Sequence, residues 1–189
     1  MAVYNQNTIE NLCETLRNLP KKRETAFVGI DGCGGAGKST LSQAIKENLD
    51  NVKIVRMDDF YYKNHFDWQR FKRQVLEPLS QNVAAEYRRY DWQTEELAEW
   101  HKIEIGGILI VEGIYSTRKD LTDFYDFMIW VDCSREICLA RGLKRDGESA
   151  REKWKSDWMP AEDFYVENDL PRERADLIVN GYENDIKLL

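Results

Sequence analysis

The sequence predicts an α/β fold in three layers, a five-stranded, mainly parallel sheet between two layers of helices. Three observations carry that expectation. Five short apolar runs, at 26–31, 52–57, 108–111, 127–131 and 176–179, are near-continuous rather than alternating, which is how strands covered on both faces read. Segments with apolar residues at helical spacing lie between them. The first run ends in Asp31-Gly32 and opens into a glycine-rich turn followed by an amphipathic helix, a strand–loop–helix order typical of parallel sheets.

Taken in order, Ile9, Leu12, Cys13, Leu16 and Leu19 mark an N-terminal helix within residues 1–25. Lys21-Lys22-Arg23-Glu24 reads as a solvated connector to the first strand. Leu41, Ala44, Ile45 and Leu49 share one face of the helix after the glycine-rich turn. Residues 59–100, between the second and third strands, are long, aromatic and mixed in charge, with a helical pattern at 68–79. Such an insertion is expected to build a binding region rather than core. Residues 135–145 read as a helix after the fourth strand, and the helical, charged stretch from Arg135 to Arg174 reads as a flap. Trp154 and Trp158, four apart, would pack that flap against the body.

The 189 residues, 42% hydrophobic and 32% charged, suit one domain with a core of its own. Lys and Arg total 27 against 34 Asp and Glu, a net charge of −7, the wrong sign for a nucleic-acid binder. Apolar runs peak at Ile108-Leu109-Ile110-Val111, far below the ~18 residues of a membrane span, and Met1 to Glu10 lacks a signal-peptide core. Cys13, Cys33, Cys133 and Cys138 form no Cys-x-x-Cys pair, and the two histidines, His65 and His101, are distant from them. Zinc-site spacing is absent, and reduced thiols in a cytoplasmic protein are expected. Both histidines read as surface residues.

Gly32-Cys33-Gly34-Gly35-Ala36-Gly37-Lys38-Ser39, followed by Thr40, fits the phosphate-binding pattern G-x-x-x-x-G-K-[ST] in its proper strand-to-helix setting. Glycines let the backbone curl so that successive N–H groups face phosphate oxygens. The following helix adds its positive end. Lys38 would reach the β- and γ-phosphates, and Ser39 would offer a hydroxyl to Mg²⁺. Cys33 reads as a small residue in that loop. The nucleotide-contacting set is thus Gly32, Gly34, Gly35, Ala36, Gly37, Lys38, Ser39 and Thr40.

Ligands of parallel sheets bind outside the carboxyl ends of the strands. Asp58 and Asp59, Glu112 and Asp132 stand at such ends. Phosphoryl transfer needs one acidic group for a metal or its waters and another for the proton of the attacking hydroxyl; position alone does not distribute the two. Asp132, followed by Cys133-Ser134 and a helix, reads as a helix cap or a surface charge.

Ile30-Asp31-Gly32 before the loop, Met57-Asp58-Asp59-Phe60-Tyr61, Tyr90-Asp91-Trp92 and Val111-Glu112-Gly113-Ile114-Tyr115 together resemble the uridine kinase family of P-loop kinases, relatives of the pantothenate kinases and phosphoribulokinases. Arg141-Gly142-Leu143-Lys144-Arg145-Asp146 resembles the family's lid, which implies a lid region at 141–168, and Arg174 to Val179 its final strand, so the likeness covers about residues 26–180. It implies a P-loop NTPase sandwich with a helical lid and an acceptor-binding insertion, and an ATP- and Mg²⁺-dependent transfer of the γ-phosphate to a hydroxyl of a small molecule, a nucleoside first among candidates. Asp58 would be the general base. Ser39 and Glu112 would organise Mg²⁺, Lys38 would bridge phosphates, and Arg141 and Arg145 would close over the triphosphate. Tyr61, Asp67 and Tyr90 would line the acceptor pocket, Asp67 at ribose hydroxyls.

The family's pyrimidine kinases carry a histidine shortly after a Tyr-Asp-Phe element. This chain continues Trp92-Gln93-Thr94-Glu95-Glu96, which leaves the base and metal residues intact and pyrimidine preference open. A related kinase with another alcohol acceptor, pantothenate-like, and a nucleotide-hydrolysing switch or binding module are the competing readings. The partners expected are a small-molecule acceptor, no nucleic acid and no membrane; a homo-oligomer is left open.

Overall fold

The structure, a computed structural model, describes residues 6–20, 22–62 and 65–182; residues 1–5, with the start of the polar N-terminus, and Lys21 of the connector lie outside them. Helix α1 (Gln6–Arg17) precedes β1 (Thr25–Asp31), and α2 (Lys38–Asn48) links it to β2 (Val52–Arg56). The inserted stretch holds a short pair, β3 (Tyr61–Tyr62) with β4 (His65–Phe66), a helix α3 over 68–80 whose middle, Lys72–Leu76, is π-wound, and a hairpin of β5 (Ala85–Asp91) and β6 (Glu96–Ile103). After it come β7 (Gly107–Glu112), β8 (Phe127–Asp132), α4 (Arg135–Asp146), a helix α5 over 151–169 with a π-wound segment at Trp154–Trp158, α6 (Pro171–Arg174) and β9 (Leu177–Asn180).

The central sheet runs β2-β7-β1-β8-β9, and every pairing in it is parallel. The expected five-stranded α/β architecture is the observed one. Each face is covered, which is why the strands read as apolar runs. Val28, Ile30, Ile108, Ile110 and Ile129 meet α1 and α2 through Leu12, Leu16, Leu41 and Ile45. Phe27, Leu109 and Val111 point the other way, onto Phe71, Leu76 and Leu79 of α3 and Tyr87 of the hairpin. The inserted stretch, expected to build a binding region rather than core, therefore supplies core. Without it, one face of the sheet would expose side chains each worth ~1.5–3 kcal/mol on burial.

The second strand stops at Arg56, and Met57–Phe60 forms a 3₁₀ turn. In such a turn residues three apart share one side. Met57 and Phe60, 1% and 0% exposed, take the inner side, which leaves Asp58 exposed and Asp59 half-buried.

Candidate active site

The loop between β1 and α2 is built on glycine. Gly32, Gly35 and Gly37 hold φ of +147°, +80° and +114°, where side chains are strained, and a Cβ on Gly35 would lie 2.4 Å from the Cys138 carbonyl oxygen. Helix α2 begins at Gly37 without a side-chain cap, so its first N–H groups and its positive end are presented to an anion. Lys38 is buried. Its Nζ donates to the carbonyls of Gly32 (2.7 Å) and Cys33 (2.9 Å). Ser39 is exposed and Thr40 half-buried at the same helix start, and Ala36 is fully buried.

Arg141 and Arg145, the two arginines expected to close over a triphosphate, are held differently. Arg141 donates to the carbonyls of Gly35 and Ala36, both at 3.3 Å, and of Gly181 at 2.9 Å. Its guanidinium is strapped to the loop backbone. Arg145 is largely exposed and pairs with Asp146 at 2.7 Å, and Asp146 also accepts from the Trp154 indole at 3.0 Å. Trp154 is 2% exposed and leaves no space for a Cβ on Gly34 or Gly142. The helix that carries Trp154 thus rests directly on the glycine-rich loop.

Ser39 Oγ donates to Glu112 Oε1 at 3.0 Å, and the exposed Arg56 lies 3.4 Å from the same oxygen. Burial pushes the Glu112 carboxyl above the ordinary glutamate range; the Lys38 charge and the Ser39 bond pull it partway back. A carboxyl raised in the folded state stabilises fully below its unfolded pKa and loses that contribution as pH rises through its folded one. The stability of the native chain relative to Glu112→Gln should therefore fall as pH climbs from about 4.5. Thermal unfolding of both proteins across pH 4–7 checks it; a native chain that gains stability relative to the variant as pH climbs would refute the assignment.

The adjacent aspartates are separated by the fold. Asp59 Oδ2 accepts from the Tyr87 hydroxyl at 3.0 Å, and burial raises its carboxyl. The Asp59 carbonyl accepts from the buried Arg70 at 2.8 Å, which also holds the Arg88 carbonyl at 2.8 Å. The turn is thereby tied to the hairpin. Asp58 stays exposed, within electrostatic range of Glu112, Tyr61 and Arg145. Asp132 does not cap α4; Ser134 does, accepting from Ile137 N. Asp132 instead takes the Trp130 indole and lies 3.6 Å from Arg172. Two residues intervene between Asp132 and the helix, and the hydroxyl closer to its first turn wins the cap.

An aromatic file runs across the site. Tyr61 lies 4.7 Å from Trp92 and 5.4 Å from Phe66, Phe66 stacks on Tyr115 at 5.2 Å, and Tyr115 meets Tyr165 of α5 at 4.6 Å. Tyr90 packs edge-on against Trp92; it is 1% exposed, and its hydroxyl has no partner among the described residues. Tyr115 holds φ +70°, backbone strain of the sort that collects at functional sites. Asp67 caps α3, its Oδ1 accepting from Arg70 N at 2.9 Å. It also lines an open hollow of about 380 Å³ with Tyr62, His65, Phe66, Trp68 and Gln69.

Sequence reasoning missed two buried acids. Asp31, fully buried, accepts from Gly32 N, from Thr117 N and Oγ1 and from the Tyr165 hydroxyl, at 2.7–2.9 Å. An acid closing an apolar strand was a usable signal, since a buried charge must be bonded. Glu162 of α5, 3% exposed, accepts from Gly34 N at 3.2 Å and from Arg135 at 2.6 Å. It lies 128 residues from Gly34, and no local pattern announced it.

A sequence profile of the phosphoribulokinase/uridine kinase family matches residues 55–181. The chain is 27% identical over 197 residues to the uridine kinase of Ligilactobacillus salivarius, covering 89% of this chain and 91% of that one. It is 32% identical over 142 residues to the uridine kinase of Alkaliphilus metalliredigens, 65% of this chain and 68% of that protein. Among solved structures, one described as a possible uridine kinase from Bacillus stearothermophilus superposes with a TM-score of 0.71 at 21% identity, over 92% of this chain and 97% of that one. The D-glycerate 3-kinase of Cryptococcus neoformans superposes at 0.64 with 12% identity, over 97% of each. These two show the shared fold.

Proposed function

Because the chain belongs to the phosphoribulokinase/uridine kinase family, we propose that it is a kinase that transfers the γ-phosphate of ATP to a hydroxyl of a small molecule, with a nucleoside as first candidate. One observation carries the reading: exposed Asp58 stands within electrostatic range of Arg145, of Tyr61 in the aromatic file and of Glu112, which holds Ser39 of the phosphate loop.

Asp58 accepts the proton of the acceptor hydroxyl as the hydroxyl oxygen attacks phosphorus. Its exposed carboxylate suits that part better than Asp59, whose oxygen is held by Tyr87. The loop N–H groups and the Lys38 ammonium bear the charge on the transferring phosphoryl group, in a setting arranged before the reaction. Arg145 is the lid cation with freedom to turn inward; Arg141 keeps the loop curled through its carbonyls. The lid, seated on the loop through Trp154, keeps water from the terminal phosphate.

Ser39 and Glu112 suit Mg²⁺, since one hydroxyl and one carboxylate are what that ion takes from a protein when phosphates and waters complete its shell. Among the described residues no cluster of three or more His, Cys, Asp or Glu offers a cage. Mg²⁺ bound there would neutralise charge shared by the β- and γ-phosphates.

Tyr61, Trp92 and Phe66 suit a flat ring, and the unpartnered Tyr90 hydroxyl suits a polar edge on it. Asp67 has one oxygen committed to its helix cap and the other for a sugar hydroxyl. The missing histidine after Trp92 supports a second reading, another alcohol as acceptor. ADP release should rise at least tenfold with an acceptor from a panel of nucleosides, sugar acids and pantothenate-like alcohols. Stimulation by nucleosides alone supports the first reading and by other alcohols alone the second; no stimulation across the panel would leave a nucleotide-hydrolysing switch.

A further inference from the structure

Glu162 is a buried carboxylate that the transfer reaction as described does not use. Helix α5 turns Trp154, Glu162 and Tyr165 toward the loop. Trp154 fills the space over Gly34, Glu162 takes Gly34 N–H, and Tyr165 reaches Asp31 just ahead of Gly32. Arg135, also paired with Asp163 at 3.1 Å, fixes the other Glu162 oxygen.

The N–H groups of such a loop are donors for phosphate. Those near Ser39 and Thr40 open α2 and would serve the inner phosphates, with Lys38 reaching outward. Gly34 lies at the other end of the curl. Glu162 shares its surroundings with Asp58: both charges act on Tyr61 and Arg145, and Glu162 acts on Tyr115 as well. A terminal phosphate that meets an acceptor hydroxyl near Asp58 would enter these shared surroundings.

We infer that Glu162 is the lid residue that discriminates between nucleoside triphosphate and diphosphate: its carboxylate holds Gly34 N–H, and a terminal phosphate must win that donor from it. The inference rests on the kinase reading. A triphosphate brings like charge against Glu162 and competes for its hydrogen bond. A diphosphate ends short of Gly34 and meets neither cost. Displacement of Glu162 frees Arg135 while Trp154 keeps the lid on the loop, so arrival of the terminal phosphate is read out at α5.

Calorimetry on the full chain with Mg²⁺ tests this, using ADP and a non-hydrolysable ATP analogue. Glu162→Gln keeps the shape and an acceptor for Gly34 N–H but removes the charge. It should bind the triphosphate analogue about tenfold tighter, an ordinary size for coupling between two sites, and ADP within twofold of the native chain. Tyr165→Phe, which loosens the same helix without touching charge, should shift both nucleotides alike. Equal shifts for both nucleotides in E162Q, or no shift, would overturn the inference. Weaker binding of both would make Glu162 a strut of the lid and also overturn it. Should E162Q melt early, Glu162→Asp draws the charge back by one methylene; a gain for the triphosphate analogue alone again supports the inference, and parity refutes it. A native chain that binds neither nucleotide would refute the kinase reading itself, a result distinct from any of these.

Discussion

Asp58→Asn is expected to lower phosphoryl transfer by about 10²–10⁴-fold, the range of a positioned general base, while ATP affinity stays within about twofold. The split follows from the geometry. Asp58 is exposed on the outer side of a 3₁₀ turn that Met57 and Phe60 anchor from within, so the amide leaves the turn in place. Phosphate binding belongs to the loop and Lys38, on other elements. Asp59 does not stand in for the lost base, because its carboxylate is spent on Tyr87. Single-turnover rates beside calorimetric affinities give the answer. Equal losses in binding and turnover would assign Asp58 to the nucleotide instead, and an undiminished rate would remove it from the chemistry.

Asp31→Ala should cost roughly 3–5 kcal/mol of stability, with a fall in Tm on the order of 10 °C for a domain of this size. The side chain serves four donors from three elements: Gly32 N at the mouth of the loop, Thr117 beyond β7 and Tyr165 on the lid helix. Alanine leaves two buried N–H groups with nothing to bond, and each such orphan costs ~1–3 kcal/mol. Tyr165→Phe should cost only about 1 kcal/mol, since it removes one bond and leaves the others. Denaturant unfolding of the two variants decides. A loss below about 1 kcal/mol for D31A would mean that the network around Asp31 carries no weight.

These expectations sort the residues by how they could be found. The phosphate loop was legible because its chemistry lies in eight consecutive residues, and curled backbone depends on local glycines. The sheet was legible because burial on both faces leaves nearly unbroken apolar runs. Glu112 and Asp58 were legible as acids at the ends of those runs. The different surroundings of Asp58 and Asp59 were not, since they depend on a 3₁₀ turn and on Tyr87, twenty-eight residues further on. Arg141 and Arg145 look alike in a basic stretch; only packing puts one guanidinium on loop carbonyls and the other beside Asp146. The aromatic file joins the hairpin, the β3–β4 pair, the turn after β7 and the lid, four segments with no common local pattern.

The amino-acid order alone determined the layered α/β architecture, the glycine-rich loop between the first strand and its helix, and the acids at the strand ends, because hydrophobic period, backbone freedom and strand ends are properties of neighbouring residues. Tertiary structure decided the rest: which aspartate faces outward, what Arg141 holds, and that Glu162 and Tyr165 of the lid reach a loop more than a hundred residues away. Hydrogen bonds between buried groups form wherever packing brings donor and acceptor together, and packing is settled by the whole chain at once.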